Sequence, residues 1–393
     1  MGMFIYGRQE KKMNNNTEDF FLMHEDTPVG VIRTFNHIPL YYVDVFRPEE
    51  LPVGTRSKQQ STERILLKKW FESRCIPSQR PDINKITDIL GRTEAELFFD
   101  NAGISLTDTY WFTKELNNPS IQWKNINFHD NGFEPVLAKW YLGDSLEWSK
   151  SPDFTTDGIM EKCWISHNGI PHLLKTDYAY GEVLCANELV YSKIAKMAGV
   201  NSIDYYFGKI KGTKYCECES FVTDAHTDFI SAMQVKHSDF SLYGTDLLNY
   251  FEKTLGFSEI RKMVTLDCIL HNTDRHEKNF GYLRNKSGIQ MAPLYDNGFC
   301  LGVNYQNAED GFVSDADMKL FEGKRAEFMQ KCGNPLYLDP ERCFFILETV
   351  YKEYDIEAKY LEKAKKEIQY GLNVAKEVGM ILPEKESLED YER

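Results

Sequence analysis

Two short stretches in the last third of the chain constrain its chemistry most. The first runs from His271 to Asn279 with the sequence HNTDRHEKN, and the second, PLYD, ends at Asp296. The first stretch places Asp274 five residues before Asn279. An aspartate, an asparagine five residues later and a further aspartate downstream is the spacing of the base and the two metal ligands in protein kinases. The sequence therefore predicts a phosphotransferase site.

These residue types suit phosphoryl transfer. Its transition state spreads negative charge, so a protein mainly positions the nucleophile and neutralises that charge through Mg²⁺. We predict that Asp274 is the base toward an incoming hydroxyl, and that Asn279 and Asp296 are oxygen ligands of Mg²⁺. Lys278 would add positive charge near the phosphates. Loops are rich in Asp, Asn and His, but the ordered set is much rarer by chance.

A predicted β-hairpin brings the two stretches together. Residues 280–284 and 289–295 flank a polar turn, Asn285–Gly288. Because a hairpin returns its far end to its near end, Asn279 and Asp296 are expected side by side. Pro293 within the second run indicates an edge strand or a bulge.

A second predicted hairpin lies upstream. Residues 163–166 and 171–175 flank an Asn-Gly pair, Asn168-Gly169, which is a strong hairpin signal. Lys175 ends the second strand, where a lysine can reach ATP phosphates while its stem lies on the sheet.

The predicted partner of Lys175 lies on the next element. Residues 182–198 have helical apolar spacing, and Glu188 falls on a partly apolar line of that helix. A charge there is costly unless it is paired, and a lysine–glutamate pair is what an assembled kinase site requires. The alternative for each residue alone is a solvated surface charge.

Residues 151–162, the covering loop, precede the first strand of this hairpin. Their position suits a loop over phosphates, but they contain one glycine, Gly158, and no glycine-rich motif. A Ser-Pro-Asp-Thr turn between domains explains the composition equally well.

Together these motifs resemble the HipA-like serine/threonine kinase family over roughly positions 146 to 380. The resemblance is carried by Thr155–Gly158, Glu161-Lys162, Lys175, Asn187-Glu188, Asn272–Asn279 and Ala292–Asp296. It implies an α+β, two-lobe kinase-like fold, with a β-rich N-lobe and a helical C-lobe.

The resemblance also implies roles for individual residues. Thr155 matches a serine that members of the family autophosphorylate, and the covering loop, with Asp157 and Gly158, takes the place of a glycine-rich loop. Residues 218–221 resemble the hinge that holds adenine, which places Glu219 and Phe221 at the nucleotide.

The implied cofactors are ATP and Mg²⁺, and the implied substrate is a protein with a Ser/Thr hydroxyl. An antitoxin-like protein stays open as a partner, although residues 1–145 do not match the amino-terminal part of the toxin that gives the family its name. Two alternatives remain. The Asn-Thr-Asp-Arg-His string is also similar to that of phosphoinositide-type kinases, so a lipid or small hydroxyl compound could be the substrate. The other alternative is a non-catalytic binding protein on a kinase fold.

Length and composition agree with this interpretation. The chain has 393 residues, which is long enough for two or three domains with sizeable cores. Its hydrophobic content of 42% and aromatic content of 13% are typical of a globular protein. We expect an N-terminal mixed α/β module at 1–145, a kinase N-lobe at 146–224 and a kinase C-lobe at 225–393. The net charge of −14 argues against direct nucleic-acid binding.

Nine scattered cysteines without a disulfide framework predict reduced thiols in a cytoplasmic protein. The pair Cys216-x-Cys218 fits strand periodicity better than a metal site. The start, Met1–Arg8, is too short and polar for a signal peptide, and no apolar run approaches a membrane span.

In the N-terminal module we predict a β element over residues 20–32, three helices and no catalytic residues. The predicted helices are 61–73, 82–90 and 93–100. Five basic residues are predicted to form a solvated face: Arg64, Lys68, Lys69, Arg74 and Arg80. A regulatory or partner-binding module is the expectation.

In the C-lobe we predict helices at 246–253, 258–270 and 355–378, and an activation-type segment at 297–333.

Overall fold

The computed structural model describes residues 17–116, 118, 120–176, 183–210, 212–303, 317–318 and 320–382. Three expectations therefore lie wholly or partly outside the described residues. These are the segment Met1–Arg8, the start of a helix at Glu182, and the middle of the activation-type segment, residues 304–316. Within the described residues the fold is α+β, with a β-rich lobe followed by a mainly helical one.

The first part of the chain forms a four-stranded antiparallel sheet in the order β3-β2-β1-β4. Its strands are β1 (Thr17–His24), β2 (Thr27–Phe35), β3 (Ile38–Val45) and β4 (Tyr110–Thr113). The predicted β element is confirmed as the β1–β2 hairpin. Strand β4 was not predicted, because it joins β1 only after several helices have intervened.

Six α-helices lie in the described part of the first 145 residues of the chain. They are α1 (Gln60–Glu72), α2 (Ile83–Leu90), α3 (Glu94–Asp100), α4 (Trp123–Ile126), α5 (Phe128–Asn131) and α6 (Val136–Tyr141). The first three confirm the predicted helices to within one residue at each end. Helix α3 begins at a capping box in which Thr93 and Glu96 satisfy each other's backbone N–H groups. Phenylalanine rings of α1, α3 and the sheet pack edge to face in the core of this region.

The prediction of a solvated basic face is wrong for two of its five residues. Arg74 is buried, and its Nη2 lies 2.6 Å from Oδ1 of Asp108. Arg80 is also buried, and its Nε lies 2.8 Å from Oδ1 of Asp82. A guanidinium can be buried when carboxylates satisfy it, and Asp108 is too distant in sequence to be recognised as a partner. The other three are exposed: Arg64, Lys68 and Lys69.

The β-rich lobe contains a four-stranded antiparallel sheet in the order β5-β6-β8-β7. Its strands are β5 (Lys162–His167), β6 (Ile170–Lys175), β7 (Tyr206–Ile210) and β8 (Thr213–Glu219). Asn168 and Gly169 have φ of 54° and 86°, as a tight hairpin turn requires, so the predicted Asn-Gly hairpin is confirmed. Strand β8 contains both Cys216 and Cys218 and confirms their strand periodicity.

Helix α7 (Val183–Met197) crosses from this sheet to the helical lobe. It is buried nearly all round rather than along one stripe, because its second face packs against α12 (Pro340–Glu353) and neighbouring helices. Glu188 is consequently only 3% exposed. A charge at that depth must be compensated within the protein.

The helical lobe begins with a small antiparallel sheet in the order β11-β10-β9. These strands are β9 (Asp228–Ser231), β10 (Gly281–Asn285) and β11 (Gly288–Met291). The predicted second hairpin is therefore present, but its second strand ends at Met291, two residues before Pro293. Ending there spares the sheet a residue that has no N–H to donate.

Helices form most of the rest of this lobe. They are α8 (Ala232–Ser238), α9 (Thr245–Asn249), a π-helical turn (Tyr250–Thr254), α10 (Glu259–Ile269), α11 (Arg325–Cys332), α12 and α13 (Ala358–Glu377). Predicted helices correspond to α9 with its π turn, to α10 and to α13. Two short strand pairs complete it: β12 (Asp317–Met318) with β13 (Phe321–Lys324), and β14 (Leu336–Tyr337) parallel to β15 (Ile381–Leu382). Across the described ranges, none of the helices has the length and apolar character needed to cross a membrane.

A buried aspartate ties the N-terminal part to the helical lobe. Oδ1 of Asp228 on β9 accepts hydrogen bonds from the backbone and side chain of Thr109, at 2.9 and 2.7 Å. Its other oxygen lies 2.9 Å from Arg284 and 3.3 Å from His24. Burial opposes ionisation, but these two cationic neighbours hold the pKa of Asp228 well below its usual range. The N-terminal part is thus docked through buried polar contacts.

Candidate active site

The structure brings Lys175, Glu188 and Asp296 into one cluster. Nζ of Lys175, at the end of β6, lies 3.1 Å from Oε1 of Glu188 on α7 and 2.9 Å from Oδ1 of Asp296. The predicted strand–helix ion pair is therefore formed. Lys175 and Glu188 are buried, whereas the side chain of Asp296 is 40% exposed. The cluster is closed on one side and open at Asp296.

Backbone contacts fix this cluster further. The second carboxylate oxygen of Glu188, Oε2, accepts a 2.7 Å hydrogen bond from the N–H of Asn297. The N–H of Asp296 donates to the hydroxyl of Tyr205 at 3.2 Å. Asp296 has φ of 56°, a left-handed conformation that is uncommon for an aspartate and persists only where neighbours impose it. Glu188 thus positions both the lysine and the backbone that carries Asp296.

Electrostatics keep these groups charged. Burial alone would lower the pKa of Lys175, but Asp296 and Glu188 raise it well above its ordinary value. Burial would likewise raise the pKa of Asp296, but the charges of Lys175 and Lys162 outweigh it and lower that pKa. The site therefore presents an ammonium group next to a carboxylate at neutral pH.

The loop 271–279 is built around the buried guanidinium of Arg275. Its Nε lies 2.9 Å from Oδ2 of Asp267 on α10. Its Nη1 donates to the carbonyls of Asn279, at 2.7 Å, and Tyr295, at 3.1 Å, and Nη2 donates to the side chain of Asn297. One side chain therefore holds the residue before Asp296 beside the loop that carries Asn279, as the hairpin prediction required.

Asp274 and Asn279 lie within this braced loop. Both are buried, at 8% and 3% exposure. The side-chain amide of Asn279 donates to the carbonyl of Asp274 at 3.2 Å, which leaves its oxygen as the atom available to a cation. His276 braces the loop, since its Nδ1 accepts the N–H of Lys278 at 3.2 Å.

The covering loop reaches this region through a surface ion pair. Nζ of Lys278 lies 2.8 Å from Oδ2 of Asp157. Gly158 has φ of 115°, and a side chain there would collide with the ammonium group of Lys162. The backbone conformation therefore favours glycine, and a larger residue would also displace the end of the Lys162 side chain.

Lys162 was part of the sequence motif but was given no role. It is buried and pairs in register with Lys175 across β5 and β6, so both lysines share one face of the sheet. Burial and the charge of Lys175 lower the pKa of Lys162 to about 8. The sequence could have shown this, because extending the predicted hairpin by one residue places Lys162 opposite Lys175.

The hinge residues follow β8. Glu219 is exposed at the end of that strand, and the N–H of Ser220 donates to the carbonyl of Pro171 at 2.9 Å. The ring of Phe221 packs at 5.1 Å between centroids against Tyr295, the residue before Asp296. The segment thus lies at the same edge of the site.

The hydroxyl of Thr155 makes its hydrogen bonds with residues outside the loop 271–279. Thr155 ends a short 3₁₀ turn, Pro152–Thr155, and is 5% exposed. Its hydroxyl donates to the carbonyl of Ile104 in the N-terminal part at 2.8 Å. In this conformation the hydroxyl is engaged and covered.

Comparison with known proteins places these motifs in a family. The model of the family described as the HipA-like C-terminal domain matches residues 154–356, slightly more than half of the chain. The serine/threonine-protein kinase CtkA of Helicobacter pylori strain J99 is 29% identical over 140 residues, covering 32% of this chain and 42% of that protein. The match therefore spans less than half the length of that relative.

Two solved structures are also similar. The H. pylori proinflammatory kinase CtkA aligns over 56% of this chain and 90% of its own, with a TM-score of 0.45 and 15% identity. HipA of Shewanella oneidensis MR-1, from a toxin–antitoxin system solved with HipB and operator DNA, aligns over 82% of this chain and 81% of its own. Its TM-score is 0.42 and its identity 15%.

Proposed function

The chain belongs to the HipA-like C-terminal domain family, and on that basis we propose that it is an ATP- and Mg²⁺-dependent serine/threonine protein kinase. One observation carries the proposal: Lys175, at the end of strand β6, is held by Glu188 of the next helix and by Asp296, which lies 121 residues further along the chain. Phosphoryl transfer needs a fixed cation at the phosphates and a carboxylate for the metal in one place.

The residues present fit the proposed cofactors. Asp296 offers a partly exposed carboxylate, and Asn279 offers an amide oxygen, which are the ligand types that Mg²⁺ prefers. When bound, Mg²⁺ would neutralise charge on the phosphates of ATP. Lys175 and Lys162 would contact those phosphates from the sheet, with Asp157 and Gly158 above them. Glu219 and Phe221 would lie at the adenine.

The residues of the loop 271–279 supply the remaining chemistry. Asp274 would accept the proton of the substrate hydroxyl, and Lys278 would add positive charge at the transferred group. The Arg275 contacts would keep both in place, because a displaced base loses much of its effect.

The substrate is proposed to be a protein with a Ser or Thr hydroxyl, and Thr155 is proposed as a site of autophosphorylation. An antitoxin-like partner belongs to the same proposal, since the HipA of S. oneidensis was solved with HipB. Direct nucleic-acid binding does not, because the chain carries a net charge of −14. The N-terminal module, residues 1–145, is proposed to be regulatory or partner-binding. Residues 146–224 and 225–393 are proposed to be the kinase N-lobe and C-lobe.

The decisive test is incubation of the pure full chain with Mg²⁺ and γ-labelled ATP, together with a lysate. The proposal expects label on protein, dependent on Mg²⁺ and absent with Asp274→Asn. Label recovered only in an organic extract would favour a lipid or small hydroxyl substrate. No transfer to either, with ATP still bound, would favour a non-catalytic binding protein.

A further inference from the structure

Three ligand-type side chains lie on the face of the β5–β8 sheet that points away from Lys175. They are His167 at the end of β5, His172 in β6 and Glu217 in β8. Leu174 pairs with Glu217 across β6 and β8, and residues two apart on a strand share a face, so His172 and Glu217 lie together. The pairing of β5 with β6 places His167 on that face too.

These side chains converge on one point. Nε2 of His167 lies 2.8 Å, and Nδ1 of His172 2.7 Å, from the same carboxylate oxygen, Oε1 of Glu217. All three ligand atoms lie within 4.8 Å of one another. Nδ1 of His172 is buried, yet within the described ranges it makes no hydrogen bond. It is close enough to Glu217 for a hydrogen bond, but the angle between the two groups is unsuitable.

We propose that His167, His172 and Glu217 form a binding site for a divalent transition-metal cation, with Zn²⁺ the best match. Two imidazoles and one carboxylate are a common zinc ligand set, and the ligand atoms of a tetrahedral zinc site lie about 3.3 Å apart. Each nitrogen–oxygen distance would have to widen by about 0.5 Å to admit the ion. His167 can move, because its side chain is 53% exposed at the hairpin tip.

The chemistry separates this site from the proposed magnesium site. Mg²⁺ prefers oxygen ligands, whereas imidazole nitrogens suit zinc and its neighbours in the first transition series. The two sites lie on opposite faces of one sheet. A cation here would join three strands, of which β6 ends at Lys175 and β8 ends at Glu219. The inference does not depend on the proposed kinase activity.

Zinc binding can be measured directly by calorimetry. The full chain, without a histidine tag and stripped with EDTA, is titrated with ZnCl₂ in excess MgCl₂ at pH 7.5. We expect one site per chain. His167→Ala, His172→Ala and Glu217→Gln should each weaken binding at least about tenfold, because each removes a ligand. At the same zinc concentration, the rise in Tm should also be larger for the wild-type chain than for His167→Ala.

His226→Ala is the matched control. Nδ1 of His226 lies 3.0 Å from Oε1 of Glu25, and its side chain is 56% exposed. It therefore resembles His167, but among the described residues it has one carboxylate neighbour and is not part of a three-ligand cluster. It should bind zinc as the wild type does, and so should Asp296→Asn. If His172→Ala fails to fold, the exposed His167 still provides the test. Absence of saturable one-to-one binding, or unchanged binding in His167→Ala and Glu217→Gln, would show a simple histidine–carboxylate cluster and overturn the proposal.

Discussion

Two clusters of buried charge lie side by side in this protein, and they differ in how completely the protein satisfies them. Arg275 is enclosed by Asp267, by Asn297 and by backbone carbonyls, and is 1% exposed. Lys175 has two carboxylate partners, but one of them, Asp296, is 40% exposed. The first cluster leaves nothing for a ligand, whereas the second has a charged group that faces outward. The comparison indicates that Arg275 holds the loop in place, whereas Lys175 and Asp296 can contact a ligand.

The clusters share a boundary at Asn297. Its backbone N–H donates to Glu188, and its side chain accepts from Arg275. A change in the closed cluster should therefore disturb the open one, whereas the reverse change should remain local. Substitutions at Arg275 and Asp296 compare the two clusters directly. Substitutions at Asp274, Asn279 and Thr155 extend the comparison to groups beside them.

Arg275→Met should have the largest effect. It leaves the buried carboxyl group of Asp267 without its guanidinium partner and with neutral hydrogen-bond donors, Tyr191 and Asn272. Breaking a buried pair in this way costs about 3–5 kcal/mol of unfolding free energy. Urea unfolding followed by tryptophan fluorescence measures it, with the exposed Arg64→Met as the control, expected within about 0.5 kcal/mol of wild type. A cost below about 1 kcal/mol would mean that Arg275 does not hold the loop.

Asp274→Asn should separate activity from stability. It keeps the size of the side chain but removes the base, so phosphate transfer should fall about 10³-fold while ATP affinity stays close to that of the wild type. Initial rates with γ-labelled ATP, beside calorimetric ATP titration, check both expectations. Turnover near the wild-type rate would remove Asp274 from the role of base.

Asp296→Asn should weaken Mg²⁺-dependent nucleotide binding more than Asn279→Ala does. The first change removes a charged ligand from a hard cation, and the second removes a neutral one. Asp296→Asn should lower the free energy of unfolding by less than about 1 kcal/mol. Lys175 keeps its ion pair with Glu188, and the lost ion pair with Asp296 is partly exposed. ATP titrations at several Mg²⁺ concentrations measure the difference. Equal Mg²⁺ dependence in both variants and the wild type would contradict the assignment.

Local sequence signals predicted the parts of the site that depend on spacing and strand parity. The Asn168-Gly169 turn set the first hairpin and hence Lys175, and a charge on an apolar line of a helix identified Glu188 as its partner. Five-residue spacing led to the prediction of Asp274 and Asn279 as site residues, and the side chain of Asn279 donates to the carbonyl of Asp274 within their loop.

Contacts across long sequence separations could not be predicted in the same way. Arg74 looked like a surface charge because Asp108, its carboxylate partner, is 34 residues away. The carbonyl that covers Thr155 belongs to Ile104, in a part of the chain without a recognisable motif. In both cases the deciding partner lies on another element, and a pattern within one element carries no information about it.

Substitution of Thr155 should have the smallest effect of these substitutions. It tests whether the buried turn Pro152–Thr155 can open. Thr155→Ala removes the hydroxyl that donates to the carbonyls of Ile104 and Pro152, which should cost about 1 kcal/mol of unfolding free energy. A phosphate cannot be added to a hydroxyl that is 5% exposed unless the Pro152–Thr155 turn moves away, so the modified form should bind ATP poorly. Intact-mass analysis and peptide mapping after ATP incubation, with Asp274→Asn as the inactive control, measure the modification. If an enzyme that phosphorylates another protein gains no phosphate between Ser149 and Thr156, self-inhibition through this loop is wrong, even though the kinase proposal survives.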